Sequence, residues 1–255
     1  KVYDPFPTNN LITQDSPSLE GQYLMFRQSS PQPDPQFLFN VVQTFLWDMG
    51  QDQKPFTSDD VNLWIAHQVQ SNWDGGGLFI RNDKLFVIDE SNSEIKYCVI
   101  STGNCNPNGI YHLAYSTPNT ILEIDSFDDQ LVFLERTSEY PIIDNIFSVD
   151  VLTGEVNQLT NYSQNFTASY PTTTGKVILW NEHETNPNNG QEINRIRQFN
   201  ILTKEYSVFF DSNSAGYTII VKQARPFDAK RITVLGYGNG KKVYSAIENI
   251  NNGFI

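Results

Sequence analysis

Two glutamates near the ends of short apolar runs are the side chains best suited to catalysis in this sequence. Glu135 directly follows the apolar residues 131–134, and Glu182 lies just beyond the apolar residues 177–180. Glycoside hydrolysis uses two carboxyl groups roughly 5–10 Å apart, one as the acid and one as the nucleophile or base. Since spacing along the chain does not pair the two residues in space, a secreted glycoside hydrolase-like enzyme is kept as the alternative hypothesis.

Signatures of other chemistries are missing from the sequence. It contains no Gly-x-Ser-x-Gly elbow, no His-Glu-x-x-His and no P-loop. The three histidines, His67, His112 and His183, are scattered, whereas a structural zinc site needs four ligands. The acidic stretch at residues 125–129 lacks the glycine and the terminal glutamate of a calcium loop. We therefore expect no metal and no cofactor, and we favour a protein that is not an enzyme.

Acidic and aromatic side chains near predicted loops are suited to binding. Aromatic rings beside carboxylates are typical of carbohydrate or calcium binding, but the loops are also acidic because the whole chain is acidic. We predict a protein or carbohydrate ligand. The predicted binding residues are Trp47, Asp48, Tyr140, Trp180, Glu182 and His183.

The charge of the chain limits its partners. Its net charge of −12 repels polyphosphate, so nucleic acid and anionic membrane surfaces are disfavoured. No apolar run approaches the roughly 18 residues needed to span a bilayer. The chain begins at Lys1 without an initiator methionine or a leader, so we expect a signal peptide to have been removed or to lie upstream.

Cysteines and glycosylation sequons favour export from the cell. Cys98 and Cys105 are the only cysteines, and a Thr-Gly-Asn turn between them predicts a local disulfide. Two sequons lie almost in tandem, beginning at Asn161 and at Asn165. We therefore expect a secreted, extracellular glycoprotein.

A repeated turn motif indicates how the chain is built. In each copy, a strand that alternates apolar and polar residues ends in Asp or Asn. Four or so turn residues follow, and a second alternating strand begins. The Asx side chain caps such a turn, and a glycine such as Gly154 or Gly253 supplies positive φ. The copies are residues 37–46, 86–95, 147–156, 197–206 and a weaker one around Asn249.

Short apolar runs precede these turns in step with them, at residues 23–26, 78–80, 131–134, 177–180 and 232–235. Continuous apolar runs of this length are typical of strands buried on both faces. Further strand candidates lie upstream at residues 61–66, 121–124, 166–170 and 217–221. Four strands per unit at a spacing of about 50 residues predict an all-β fold, a β-propeller of about five four-stranded antiparallel blades.

One stretch resembles a known family. Ile146-Phe-Ser-Val-Asp-Val-Leu-Thr-Gly-Glu-Val-Asn-Gln-Leu-Thr160, followed by Tyr170-Pro-Thr-Thr-Thr-Gly-Lys-Val-Ile178, is similar to a TolB-type (WD40-like) propeller repeat. In those repeats a strand ending in Asp and a Gly turn lead to Leu-Thr, then to a Pro-x-x-Gly-Lys turn and an apolar strand. The resemblance covers one blade well and the others in outline. It implies a propeller, and no activity or catalytic residue carries over.

We predict a single domain over residues 1–255, with approximate blades at 10–49, 61–101, 120–160, 166–210 and 216–255. The longer loops, after the second and fourth strands of each blade, lie on one face, and that face is the predicted binding surface. The fifth blade is one strand short, so the N-terminal segment closes it, the chain is part of a longer propeller, or a partner supplies the strand. An unpaired edge strand would permit self-assembly. The favoured function is an extracellular non-enzymatic propeller glycoprotein, acting as a binding or structural and assembly module.

Overall fold

The computed structural model describes residues 13–33, 40–53, 58–59, 61–69, 78–89, 93–103, 105, 111–186, 188–211, 219–226, 231–238 and 241–248. These residues form nineteen β-strands and one short 3-10 turn, Ile100–Thr102. The strands form five sheets, and within each sheet they are neighbours in chain order. Among the described residues, none lies in a helix with the length and apolar character to cross a membrane.

The first two sheets each contain four strands. Sheet 1 consists of β1 (Thr13–Glu20), β2 (Tyr23–Pro33), β3 (Asn40–Asp48) and β4 (Val61–Val69). Sheet 2 consists of β5 (Leu78–Arg81), β6 (Lys84–Asp89), β7 (Glu94–Val99) and β8 (His112–Ser116).

Sheets 3 and 4 also have four strands each, and sheet 5 has three described strands. Sheet 3 consists of β9 (Thr120–Phe127), β10 (Gln130–Glu139), β11 (Ile142–Asp150) and β12 (Val156–Gln158). Sheet 4 consists of β13 (Phe166–Thr173), β14 (Val177–Thr185), β15 (Glu192–Asn200) and β16 (Tyr206–Asp211). Sheet 5 consists of β17 (Ile219–Pro226), β18 (Arg231–Gly238) and β19 (Lys241–Glu248).

Successive antiparallel sheets of this kind are the blades of a β-propeller. The predicted fold class is confirmed: the chain is an all-β β-propeller. The weaker turn copy around Asn249 and the strand missing from the fifth blade fall outside the described residues. The expectations about closure and about an unpaired edge therefore stay predictions.

The second strands of sheets 3 and 4 are buried on both faces, as their apolar runs predicted. Residues 131–134 in β10 and 177–180 in β14 are at most 4% exposed. A strand covered on both sides cannot alternate polar and apolar residues, which explains the continuous apolar sequence.

The repeated Asx turn joins the third and fourth strands of sheets 3 and 4. Asp150 Oδ1 accepts hydrogen bonds from the backbone N–H groups of Leu152 and Thr153 at 3.0 and 2.9 Å. Asn200 Oδ1 accepts the same two bonds from Leu202 and Thr203, both at 3.0 Å. The side chain thus caps the turn in both sheets, as the motif predicted.

Two assignments made from the sequence were wrong. A turn was expected after Asn40, within residues 37–46, but β3 continues without a break over Asn40–Asp48. The second is a strand assignment. Residues 61–66 were placed at the start of the second blade, but β4 pairs with β3 as the fourth strand of sheet 1. The run at residues 78–80 consequently lies in the first strand of sheet 2, whereas it was expected in the second. An alternating strand carries no local sign of which neighbour it will pair with, and the connection of residues 49–60 looked like a link between blades.

By its contacts the chain divides into two compact units, residues 1–89 with 95–113 and residues 90–94 with 114–255. The prediction of a single domain stays a prediction. In the first unit, a buried core contains Met25, Leu46, Ile80, Leu85 and Cys98. In the second unit, a core between sheets 3 and 4 contains Val132, Leu134, Ile146, Ile178 and Trp180.

Acidic side chains of β9 hold the first strand of sheet 4. Asp125 accepts hydrogen bonds from Thr172 Oγ1 at 2.6 Å and from the Thr173 backbone N–H at 3.1 Å. Glu123 accepts one from the backbone N–H of Tyr170, which has a positive φ of 51°. These bonds lie at a β-bulge in β13 and fix the neighbouring sheets against each other.

Candidate functional site

Glu135 lies at the end of the buried run of β10 and is only 2% exposed. Its carboxylate accepts three hydrogen bonds from the end of β8 and the segment that follows it. The donors are Tyr115 Oη at 2.8 Å, Thr117 Oγ1 at 3.0 Å and Asn119 Nδ2 at 2.7 Å. Both carboxylate oxygens therefore have partners within the protein, and the side chain anchors the connection that leads into sheet 3.

Glu182 in β14 has a similar environment and is 6% exposed. Its carboxylate accepts a hydrogen bond from Tyr162 Oη at 2.5 Å and one from Arg195 Nη1 at 3.1 Å. Arg197 Nε lies 3.9 Å from the same carboxylate. A buried charge is tolerated only when it is paired and hydrogen-bonded, and these contacts satisfy that requirement.

The two glutamates occupy equivalent positions in adjacent sheets. Glu135 lies five residues after Gln130, which pairs with the turn residue Asp150, and Glu182 lies five residues after Val177, which pairs with Asn200. Each glutamate accepts a hydrogen bond from a tyrosine 20 residues before it in the sequence. This equal spacing was visible in the sequence and could have revealed the tyrosines, which sequence reasoning missed.

The two tyrosines have the largest pKa shifts among the titratable groups near the site. Burial, reinforced by the hydrogen bond to Glu135, raises the pKa of Tyr115 to about 12. Burial and the bond to Glu182 also raise the pKa of Tyr162. A phenol that donates to a carboxylate loses that bond if it ionises, so both groups remain hydroxyl donors at neutral pH.

Trp180 belongs to the core and is not exposed for stacking. It is 1% exposed, and its indole Nε1 donates a hydrogen bond to Tyr162 Oη at 2.9 Å. Tyr162 therefore links Trp180 to Glu182. The sequence placed Trp180 on a binding surface because an indole suits one, but its position in the buried run of β14 removes both ring faces from solvent.

The exposed part of the candidate site is the end of sheets 3 and 4 where the second and third strands are joined, which we call the hairpin end. At the hairpin end of sheet 3, Tyr140 is 96% exposed and Ile142 is 53% exposed. Arg136 Nε donates across this hairpin to Asp144 Oδ1 at 3.0 Å. Asn145 Nδ2 donates to Thr137 Oγ1 at 2.9 Å.

Charged side chains hold the equivalent part of sheet 4. Arg195 Nη1 joins the carboxylates of Glu182 and Glu184, at 3.1 and 2.9 Å. His183 Nε2 lies 3.7 Å from Glu192, and its side chain is 36% exposed. His183 and Tyr140 thus lie at the hairpin ends of adjacent sheets, and their role in binding stays a prediction.

Trp47 and Asp48 do not lie at the hairpin end of their sheet. Asp48 pairs with Tyr23 at the start of β2, the register position that Asp150 and Asn200 hold in their sheets. Asp48 accepts hydrogen bonds from Gln22 Nε2 and from the Gly50 backbone N–H. The sequence placed both residues on a connection between blades because it misplaced strand β4, and their grouping with Tyr140 and His183 stays a prediction.

The disulfide predicted from the sequence is present. Cys98 and Cys105 are bonded to each other and are 0% and 4% exposed, within the core of the first unit. Asn161 is exposed and Asn165 is half-buried, and glycosylation at either site stays a prediction. Among the described residues, no group of three or more His, Cys, Asp or Glu residues is arranged to hold a metal ion.

Solved structures with a similar fold are larger proteins. A Mycobacterium tuberculosis puromycin-hydrolyzing peptidase is 10% identical, with a TM-score of 0.54 over 95% of this chain and 37% of its own. An oligogalacturonate lyase in complex with manganese is 13% identical, with a TM-score of 0.52 over 89% of this chain and 60% of its own. The β-propeller domain of the Trilobed protease from Pyrococcus furiosus is 10% identical, with a TM-score of 0.44 over 94% of this chain and 82% of its own.

This chain therefore spans 37% and 60% of the first two proteins, and the likeness concerns the fold alone. No family model matches the chain, and no curated protein matches it. The β-propeller architecture expected from the resemblance to TolB-type repeats is confirmed, and its sheets carry the site residues described above.

Proposed function

We propose that this protein is an extracellular, non-enzymatic β-propeller glycoprotein that acts as a binding or structural module. Its ligand contacts the hairpin end of sheets 3 and 4, with Tyr140 as the central contact. His183 and Glu192, at the hairpin end of sheet 4, contribute polar groups. The observation that carries the proposal is that Glu135 and Glu182, the best candidates for catalysis, are buried and bonded to internal donors.

The exposure of Tyr140 supports binding at this end. A tyrosine side chain offers a large, rigid surface and loses little entropy when it is immobilised, so tyrosines are enriched in binding surfaces. The ring is 96% exposed, and the hairpin that presents it is fixed by the Arg136–Asp144 ion pair at 3.0 Å. A rigid support lowers the cost of binding because the contact residues are already in place.

The ligand that we propose is a protein or a carbohydrate. An aromatic ring with nearby polar groups can contact either one, whereas the net charge of −12 disfavours nucleic acid. The disulfide between Cys98 and Cys105 supports an extracellular location, as do the sequons at Asn161 and Asn165. We also propose that copies of the chain can associate through an unpaired edge strand of sheet 5.

The experiment is a glycan array and a panel of extracellular proteins, tested with wild-type protein and with Tyr140→Ala. We expect a ligand whose affinity falls about tenfold or more in Tyr140→Ala, as for the loss of a central aromatic contact. Leu113→Ala is the matched control because Leu113 is 58% exposed and lies on β8 of sheet 2, outside the hairpin end. Ligands that bind Tyr140→Ala and wild type equally would refute this placement of the site.

A secreted glycoside hydrolase-like enzyme is the second candidate. The observation that favours it is the equivalent placement of Glu135 and Glu182 in adjacent sheets. In this alternative the two side chains exchange their internal partners for substrate. It requires the tyrosine, threonine, asparagine and arginine donors to release both carboxylates, and that requirement makes it the weaker candidate.

A further inference from the structure

Two turns with the same backbone arrangement expose a leucine at the same position. In the turn of residues 150–155, Leu152 is 72% exposed, and in the turn of residues 200–205, Leu202 is 89% exposed. In both turns the Asx side chain accepts a hydrogen bond from the backbone N–H of the leucine. The turn therefore holds each leucine outward by its backbone geometry.

The strands that follow the turns continue the apolar surface. Val156 pairs with Val149 in sheet 3, and Tyr206 pairs with Phe199 at the equivalent position in sheet 4. Val156 is 46% exposed, Tyr206 is 48% exposed, and Val208 is 43% exposed. We call Leu152, Val156, Leu202, Tyr206 and Val208 the leucine surface.

The two turns are neighbours. Lys204 Nζ in the second turn lies 3.9 Å from Glu155 Oε1 in the first, so an ion pair connects sheets 3 and 4 at this point. Five of the nine large hydrophobic residues that are exposed in the described part of the chain belong to the leucine surface. Single exposed apolar residues are ordinary, but a cluster of them marks an interaction site.

We propose that the leucine surface binds a segment of another protein that carries apolar side chains flanked by Lys or Arg. The charged residues of the two turns are Asp150, Glu155, Lys204 and Glu205, three acidic and one basic, and the whole chain carries −12. A partner with positive charge beside its apolar residues complements both the surface and its surroundings. A second copy of this chain would bring another −12, which opposes association.

This site is separate from the proposed ligand surface. Leu152 lies two residues after the end of β11, whereas Tyr140 lies two residues before its start. The two residues are therefore at opposite ends of sheet 3. The leucine surface therefore gives the module a second contact. A substitution at one end is expected to leave binding at the other end unchanged.

The probe is a phage-displayed library of random peptides, selected on the whole folded protein. We expect selected peptides to combine apolar residues with Lys or Arg and to lose about tenfold or more in affinity for the double variant Leu152→Asp/Leu202→Asp. Leu113→Asp is the matched control, since Leu113 is a 58% exposed aliphatic residue of sheet 2 that belongs to neither proposed surface. Both leucines are exposed, so we expect the double variant to keep the wild-type unfolding midpoint.

Three results would overturn the proposal. The first is a selection that enriches no peptide, or enriches acidic ones. The second is equal affinity of the selected peptides for wild type and the double variant. The third is a concentration-dependent dimer of the wild type that the double variant abolishes, because the occupant would then be a second copy. The effect of Tyr140→Ala on ligand binding tests the hairpin end. It therefore decides the proposed function independently of these three results.

Discussion

At the scale of single residues, Glu135 and Glu182 show how burial changes the role of a carboxylate. In the sequence both are acidic residues beside apolar strands, as a catalytic pair would be. In the structure each accepts a tyrosine hydroxyl and further donors while it is at most 6% exposed. Their hydrogen bonds join the connection before a sheet to the second strand of that sheet, which is a structural role.

Tyr162 tests this structural role. Tyr162→Phe removes the hydroxyl that donates to Glu182 and accepts from Trp180 Nε1. Because two buried polar groups then lose a partner, we expect the free energy of unfolding to fall by about 1–3 kcal/mol. Urea denaturation measures the change, and Tyr140→Phe is the control, since Tyr140 is 96% exposed. Equal stability of Tyr162→Phe and wild type would show that the hydroxyl bonds contribute nothing.

Tyr115 gives the fold a dependence on alkaline pH. Burial and the bond to Glu135 raise its pKa from 10.0 to about 12. The folded state therefore favours the neutral phenol, and this contribution to stability is fully present below pH 10 and is lost as the pH rises towards 12. We expect the stability advantage of wild type over Tyr115→Phe, measured by urea denaturation, to shrink across that interval. A constant difference from neutral to strongly alkaline pH would contradict the argument.

Some residue-scale features could be predicted from the sequence and others could not. The Cys98–Cys105 disulfide was predictable because both cysteines lie on one short segment around a turn. The burial of Trp180 was harder to predict, since its indole N–H is satisfied by Tyr162, a partner 18 residues away. Hydrogen bonds between distant segments leave only indirect marks in a sequence, and here the mark was the repeated Tyr-to-Glu spacing.

At the scale of strands and turns, the Asx turn recurs in the described part of the chain with the same geometry. It occurs in sheets 3 and 4 with the same hydrogen bonds, and its fifth residue has a positive φ in both. That residue is Gly154, with φ 74°, in sheet 3 and Lys204, with φ 59°, in sheet 4. The same turn conformation is therefore formed once with glycine, which adopts a positive φ without strain, and once with lysine, which does not.

Substitutions at this position should act in opposite directions. Gly154→Ala places a side chain in the left-handed region, so we expect it to lower the free energy of unfolding by about 1–2 kcal/mol. Lys204→Gly removes that strain and should stabilise, by a smaller amount because glycine loses more entropy on folding. Thermal or urea unfolding of the two variants measures both effects. If Gly154→Ala were stabilising, the turn geometry assigned here would be wrong.

Elements whose pattern reflects burial were predicted better than elements whose position depends on pairing. Residues 131–134 and 177–180 are continuous apolar runs because both their faces are covered, and burial of this kind is visible in the sequence. Strand β4 alternates as any half-exposed strand does, and its hydrogen bonds to β3 make it part of sheet 1. The misplacement of β4 then put Trp47 and Asp48 on a connection between blades.

At the scale of the whole molecule, the sheets repeat one plan, and two of them carry different surfaces at their two ends. In sheets 3 and 4 the hairpin end carries Tyr140 and His183, and the opposite end carries the leucine surface. The buried second strands and the tyrosine–glutamate bonds lie between these ends and fix them. This arrangement supports the proposed role as a binding module, because the surfaces at both ends of these sheets rest on buried strands.

We propose that Glu135 and Glu182 are not catalytic, and turnover of chromogenic glycosides tests this central proposal most directly. Wild type, Glu135→Gln and Glu182→Gln are compared on a panel of these substrates, using the whole folded protein. The account predicts no turnover above background by any of the three. Turnover by wild type that either substitution abolishes, in a variant that remains folded, would contradict the account and establish the enzyme alternative.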